Sequence, residues 1–231
     1  MDFNIRNLLV FDIGGIEVWI TETALITWIL MAVLIVFAII VRVKLKKFED
    51  VPTGKLQNTV EAIIEMFERF IHSTVGEKLS YLGNWYFTVF AIILLSNFSG
   101  VIGIIRPPTA DWSFTVAMAI STFVIIQVMG FKYRRGAYAK NFLTPSFVFL
   151  PVNIIGELAR PISLSFRLFG NMLAGLILMT MIYTLPPVAA RFGIPAVMHI
   201  YFDLITGFLQ TYIFCVLSLS FIGGAAGVET E

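Results

Sequence analysis

Long apolar runs without a single formal charge constrain this chain more than any other feature. Residues 23–41, 79–105, 112–131 and 168–190 contain no Asp, Glu, Lys or Arg. A helix of about 20 apolar residues crosses about 30 Å of hydrocarbon, where every backbone polar group must be satisfied inside the protein. The runs therefore point to membrane-spanning helices. Composition agrees: 58% of residues are hydrophobic and 13% charged, against about 45–50% and about 25% in soluble domains. A formal net charge of +1 offers no strongly basic surface for nucleic acid. The one cysteine, Cys215, lies in an apolar run, which excludes a disulfide framework. No linker, repeat or low-complexity tract divides residues 1–231, so a single membrane domain is expected.

The expected fold class is an all-α integral membrane protein, with about five membrane-embedded helices and one amphipathic surface helix. Residues 1–22 form an acidic extracytoplasmic N-terminus, and 23–41 the first span, an anchor rather than a signal peptide. Residues 56–74 carry Val60, Ile63, Phe67, Phe70 and Ile71 at helical spacing, with Glu61, Glu65, Glu68, Arg69 and His72 opposite. That pattern predicts an amphipathic helix on the cytoplasmic surface. Residues 82–105 and 112–131 form a helical hairpin across the turn-rich Arg106-Pro-Pro-Thr-Ala-Asp111. Segments 147–183 and 194–222 form a second hairpin, turning at Leu185-Pro-Pro and Phe192-Gly-Ile-Pro195. The first of them would be about 55 Å long at 1.5 Å per residue, so both must tilt or kink strongly.

Orientation follows from the basic residues. Arg42, Lys44, Lys46, Lys47 and Lys55 follow the first span, and Lys132, Arg134, Arg135 and Lys140 the third. The other side offers Arg6, Arg106 and Arg191. The positive-inside rule then puts the N-terminus outside the cytoplasm and the C-terminus inside.

Within 147–183 stand Glu157, Arg160 and Arg167, embedded in apolar sequence. A charge at bilayer depth costs about 3 kcal/mol on insertion scales, and it persists where it meets water, a partner charge or a buried interface. On a helix, Glu157, Arg160, Ser163, Arg167, Asn171 and Ala174 recur at steps of three or four and share one face. Pro161 in that stripe predicts a kink or local break. His199, Asp203, Thr206 and Gln210 form a second stripe on the last segment. Folding the two segments about a turn near Val188 sets Arg167 opposite Gln210, Asn171 near Thr206 and Asp203 near Leu173.

Arginine does not release its proton in a protein, so Arg167 is a fixed charge and not a relay. The chain offers no carboxylate at that depth, which puts the titrating partner on another subunit. Asp203 toward the outside and Glu157 toward the cytoplasm then mark two aqueous half-paths that do not join. The plainer readings are an ion pair between Arg167 and Asp203, mutual neutralisation of Glu157 and Arg160, and a packing role for His199.

The run from Arg160 through Arg167, Asn171 and Gly175 resembles the signature of the subunit a family of F-type ATP synthases. Pro108-Thr-Ala-Asp111 with Thr115-Val-Ala-Met118, and Asp203 through Gln210, resemble its flanking segments. The resemblance implies a plasma-membrane stator working against a ring of c subunits that carry mid-membrane carboxylates, held by peripheral-stalk b subunits. It implies ion translocation through Arg167, Asn171, Asp203 and Gln210, to which the spacing adds Glu157 and His199, with no cofactor, metal or catalytic residue expected. Many members carry a glutamate where this chain has Leu176. Asp203 is then expected to supply the ionisable group of the outer half-path, with His199 as candidate partner. The rivals are a self-contained ion transporter and an intramembrane enzyme. The sequence has neither repeat-related halves nor an H-E-x-x-H pattern, and it lacks the phosphate-binding loop that nucleotide chemistry would need.

Overall fold

The computed structural model describes residues 7–13, 16–45, 54–102, 106–144, 146–184, 193 and 197–228. Five helices in it are long and apolar enough to cross a membrane, which makes the chain a multi-pass, all-α membrane protein. Arg6, Lys46, Lys47, Arg191 and the expected turn residues 185–192 and 194–196 lie outside the described residues.

The N-terminal region adds a small element that the charge pattern did not suggest. Strands β1 (Asn7–Ile13) and β2 (Ile16–Thr21) pair antiparallel, with Ile13 opposite Ile16. The Thr21 hydroxyl then accepts from the Ala24 backbone N–H at 3.2 Å. It thus caps the first turn of α1 (Glu22–Leu45). Arg42 and Lys44 occupy the last turn of α1, where cations suit the helix dipole.

The amphipathic pattern yields α2 (Lys55–Val75). Phe67, Ile71 and Val75 are buried at four-residue steps, whereas Glu61, Glu65, Glu68, Arg69 and His72 stay exposed. Gly76 ends the helix at φ +69°, a left-handed conformation suited to glycine, and its N–H bonds the His72 carbonyl at 3.0 Å. A 3-10 turn, Glu77–Leu82, leads into α3 (Gly83–Phe98), which ends in a second 3-10 turn, Ser99–Ile102. Then come α4 (Trp112–Arg134), α5 (Gly136–Leu143) and α6 (Leu150–Thr184). Pro161 does not break α6, which runs through it without interruption. The last segment starts as a π-helical stretch, Ile200–Thr206, and continues as α7 (Gly207–Ala226).

The chain divides into two compact units, each drawing on several helices. One comprises 1–36, 91–115 and 166–211. There the Thr23 hydroxyl donates to Asp111 Oδ2 at 2.7 Å, and Asp111 Oδ1 accepts from the Ser113 N–H. Fully buried Asn97 donates through Nδ2 to the Gly207 carbonyl at 2.9 Å and to the Thr211 hydroxyl at 3.1 Å. A Cβ on Gly207 would lie 2.9 Å from that of Asn97, so close approach requires glycine here. The other unit comprises 37–90, 116–165 and 212–231. Its core joins Ile71, Val75 and Leu79 to Tyr86, Ile126, Cys215, Leu219 and Ile222.

Candidate ion-path site

Arg167 lies on α6 with its neighbours Leu164, Ser165, Leu168 and Met172 buried and its own side chain exposed. Among the described residues no acceptor or carboxylate pairs with it. The plainer reading of an Arg167–Asp203 ion pair does not appear among these contacts, where Asp203 pairs with His199. One turn along α6, Asn171 has a buried Nδ2 without a hydrogen-bond partner, and so does Oε1 of Gln210. Buried polar atoms left this way cost about 1–3 kcal/mol, which marks both for a bridging group.

Around Asp203 the geometry is tight. His199 Nδ1 lies 2.6 Å from Asp203 Oδ2, and the Tyr183 hydroxyl lies 3.3 Å from His199 Nε2. These three groups, with Leu176, Thr180, Met172, Met179, Gly175, Gly100 and Pro107, line a cavity of about 40 Å³. That is room for a few waters at about 10–15 Å³ each. Gly100 forms the wall behind the carboxylate, and a Cβ there would come within 3.0 Å of Asp203 Oδ1. Leu176 contributes an apolar wall.

The predicted stripe His199, Asp203, Thr206, Gln210 assumed a regular 3.6-residue period. The π-helical stretch overrides it, since bonding to the fifth residue changes the phase. His199 and Asp203 still meet. Thr206 instead donates its hydroxyl to the Tyr201 carbonyl five residues back, at 2.9 Å. A Cβ at Gly175 would lie 3.2 Å from that of Phe202, so the two residues face each other closely, in the register that the folded-hairpin reading uses to set Arg167 opposite Gln210.

In the second unit, Glu157 and Arg160 are paired at 2.9 Å, and the guanidinium lies 5.2 Å over the Phe221 ring. Their mutual neutralisation is thus present. Both line a cavity of about 600 Å³ with Arg134, Tyr138, Asn141 and Asn153. Asn153 also donates to the carbonyls of Phe142 and Thr144, closing the end of α5. Burial, reinforced by the Glu157 charge, pushes the Tyr138 hydroxyl above its ordinary value. It stays neutral and donates to Gln127 at 3.3 Å.

Sequence reasoning did not single out Tyr183, nor Asn97 as the residue holding the junction between the π-helical stretch and α7. Tyr183 ends an apolar run and carries no charge, so only the fold shows its partner. Among the described residues, His199 meets Tyr183 and Asp203 but no serine or cysteine, so the nucleophile–base pair of an intramembrane hydrolase is not present there.

Membrane-length helices carrying an arginine unpaired among the described residues and a carboxylate–imidazole pair beside a cavity define a multi-pass ion-translocating membrane protein. Residues 24–223 match the ATP synthase A chain family, and the chain belongs to that family. It is 34% identical over 207 residues to ATP synthase subunit a of Desulfosudis oleivorans, covering 86% of this chain and 85% of that protein. It is 33% identical over 231 residues to the sodium ion specific ATP synthase subunit a of Propionigenium modestum, covering 90% and 75%. With the corresponding subunit of Geobacter sulfurreducens it shares 33% identity, covering 86% and 85%.

Proposed function

We propose that this chain is the ion-translocating stator subunit of a rotary ATP synthase, passing ions to and from a ring of c subunits by two offset half-paths. The observation that carries this reading is the state of Arg167. Glu157, Arg160 and Asp203, the other charges of the two long segments, all have partners within the chain, whereas Arg167 is exposed and, among the described residues, unpaired. A permanent cation at bilayer depth is too costly to leave facing lipid, so its partner lies outside the chain. A ring carboxylate at the same depth supplies that partner and keeps its ionised form opposite the guanidinium.

Asp203 and His199 belong to the half-path open to the outside, and Glu157, in the wider cavity, to the one open to the cytoplasm. Asn171 and Gln210 flank the transfer point, offering an unmatched donor and acceptor. The chain performs no bond-making chemistry; nucleotide turnover belongs to other subunits, and peripheral-stalk b subunits hold the stator. The N-terminus lies outside the cytoplasm and the C-terminus inside. The test is Arg167→Ala in the whole complex. The complex assembles but ATP synthesis and ATP-driven pumping are lost; retained coupling refutes the proposal.

A further inference from the structure

We infer that His199 is a proton-carrying partner of Asp203, and that Tyr183, His199 and Asp203 form one relay. The inference rests on the ion-path reading above and extends it to the identity of the groups that load the outer half-path.

Three observations carry it. The groups form a continuous series, 3.3 Å from the Tyr183 hydroxyl to Nε2 and 2.6 Å from Nδ1 to the carboxylate, within reach of proton transfer. They are the titratable side chains in the wall of that cavity. Gly100 and Pro107 face it from one side and Met172, Leu176 and Met179 from α6, while Thr180 commits its hydroxyl to the Leu176 carbonyl at 2.8 Å. Arg106 precedes Pro107 but does not line the cavity. Lastly, the Gly100 backbone closes the far side of the carboxylate, so among the described residues the imidazole is its one titratable neighbour in that wall.

The proton balance is simple. With Nδ1–H donating to ionised Asp203, Nε2 has a free lone pair. A proton arriving from the Tyr183 side binds Nε2 and makes imidazolium, and Nδ1 then gives its own proton to Oδ2. The products are the Nε2–H imidazole and a carboxylic acid, which releases its proton inward; the first tautomer returns by proton exchange with water in the cavity, Nε2 losing one proton as Nδ1 gains one. Sodium fits this site poorly. A hard cation asks for several oxygen ligands, and here one carboxylate oxygen is held by an imidazole within largely apolar walls.

The test uses the complete ATP synthase in proteoliposomes, at fixed electrical potential, with the pH facing the outer half-path varied between about 5 and 8. His199→Ala is expected to synthesise ATP about tenfold more slowly at the alkaline end and near the wild-type rate at the acid end, where bulk protons load Asp203 directly. Leu176→Glu added to His199→Ala restores the alkaline rate. Should His199→Ala fail to assemble, His199→Gln, which keeps a polar group on Asp203, carries the same comparison. An unchanged rate at every pH overturns the relay. So does an equal loss at every pH that Leu176→Glu leaves unrepaired, the mark of a purely structural histidine. So does synthesis driven by an imposed sodium gradient at constant pH. Arg167→Ala, assayed in parallel, separates the two levels. If it remains coupled, the ion-path reading itself falls; if it is uncoupled while His199→Ala is unaffected, only the relay falls.

Discussion

The cavities around Asp203 and Glu157 solve the same problem in opposite ways. The first is about 40 Å³, and its carboxylate is held by one imidazole at 2.6 Å. The second is about 600 Å³, and its carboxylate is paired with a guanidinium that also rests on an aromatic ring. An ion entering a narrow, largely apolar space must be handed between fixed groups, because few waters fit. One leaving through a wide polar space can rely on water. The difference teaches that single side chains matter more in the first cavity than in the second. Arg167 lines neither cavity, and in the proposed function it is the fixed charge between the two paths.

Substitutions break or sharpen this contrast in a definite order. Arg167→Ala has the largest effect, loss of coupled ATP synthesis in an assembled complex. Arg167→Lys recovers little of it, since an ammonium shifts its pKa readily and lacks the guanidinium fork. Asp203→Asn comes next, slowing ion-driven synthesis by about tenfold to a hundredfold, the lower end of what a positioned acid–base group contributes. Glu157→Gln is smaller, about twofold to threefold, because the wide cavity keeps its waters and Arg160 keeps its contact with the Phe221 ring. If Glu157→Gln outweighs Asp203→Asn in the same synthesis assay, the contrast is reversed. Gly207→Ala tests the scaffold. A Cβ 2.9 Å from that of Asn97 forces the helices apart, with about 1–3 kcal/mol of overpacking, read as lower thermal stability of the complex. Intact stability would show that Asn97 does not hold the junction of the π-helical stretch and α7.

How much of this was legible in the sequence depends on which force decides each element. The spanning helices were, because apolar length and missing charge leave a membrane chain few alternatives; so was α2, whose two faces differ in kind. The hairpin β1–β2 was passed over. Its signal, alternating residues on either side of Gly14-Gly15, is present but weaker than the charge pattern of the same region. Pro161 pointed to a kink or a local break, and of the two the break is absent, since α6 continues through it. A proline removes one donor and strains one turn without having to end a helix. The real irregularity lies at Ile200–Thr206, where no proline stands. Periodicity does not reveal it, nor the contact at its end, where Asn97, 110 residues away in sequence, bonds the Gly207 carbonyl. Of the site, the stripe of α6 and the His199–Asp203 pair were visible at four-residue spacing. Tyr183 was not, because its partner lies across the fold.

The central claim is that the partner of Arg167 comes from another chain, and a structure of the assembled membrane complex tests it most directly. The account predicts the guanidinium within about 4–6 Å of a carboxylate on the adjacent ring subunit, close enough to favour its ionised form. A guanidinium turned to lipid headgroups, or satisfied by Asp203 of its own chain with no ring carboxylate beside it, would contradict it.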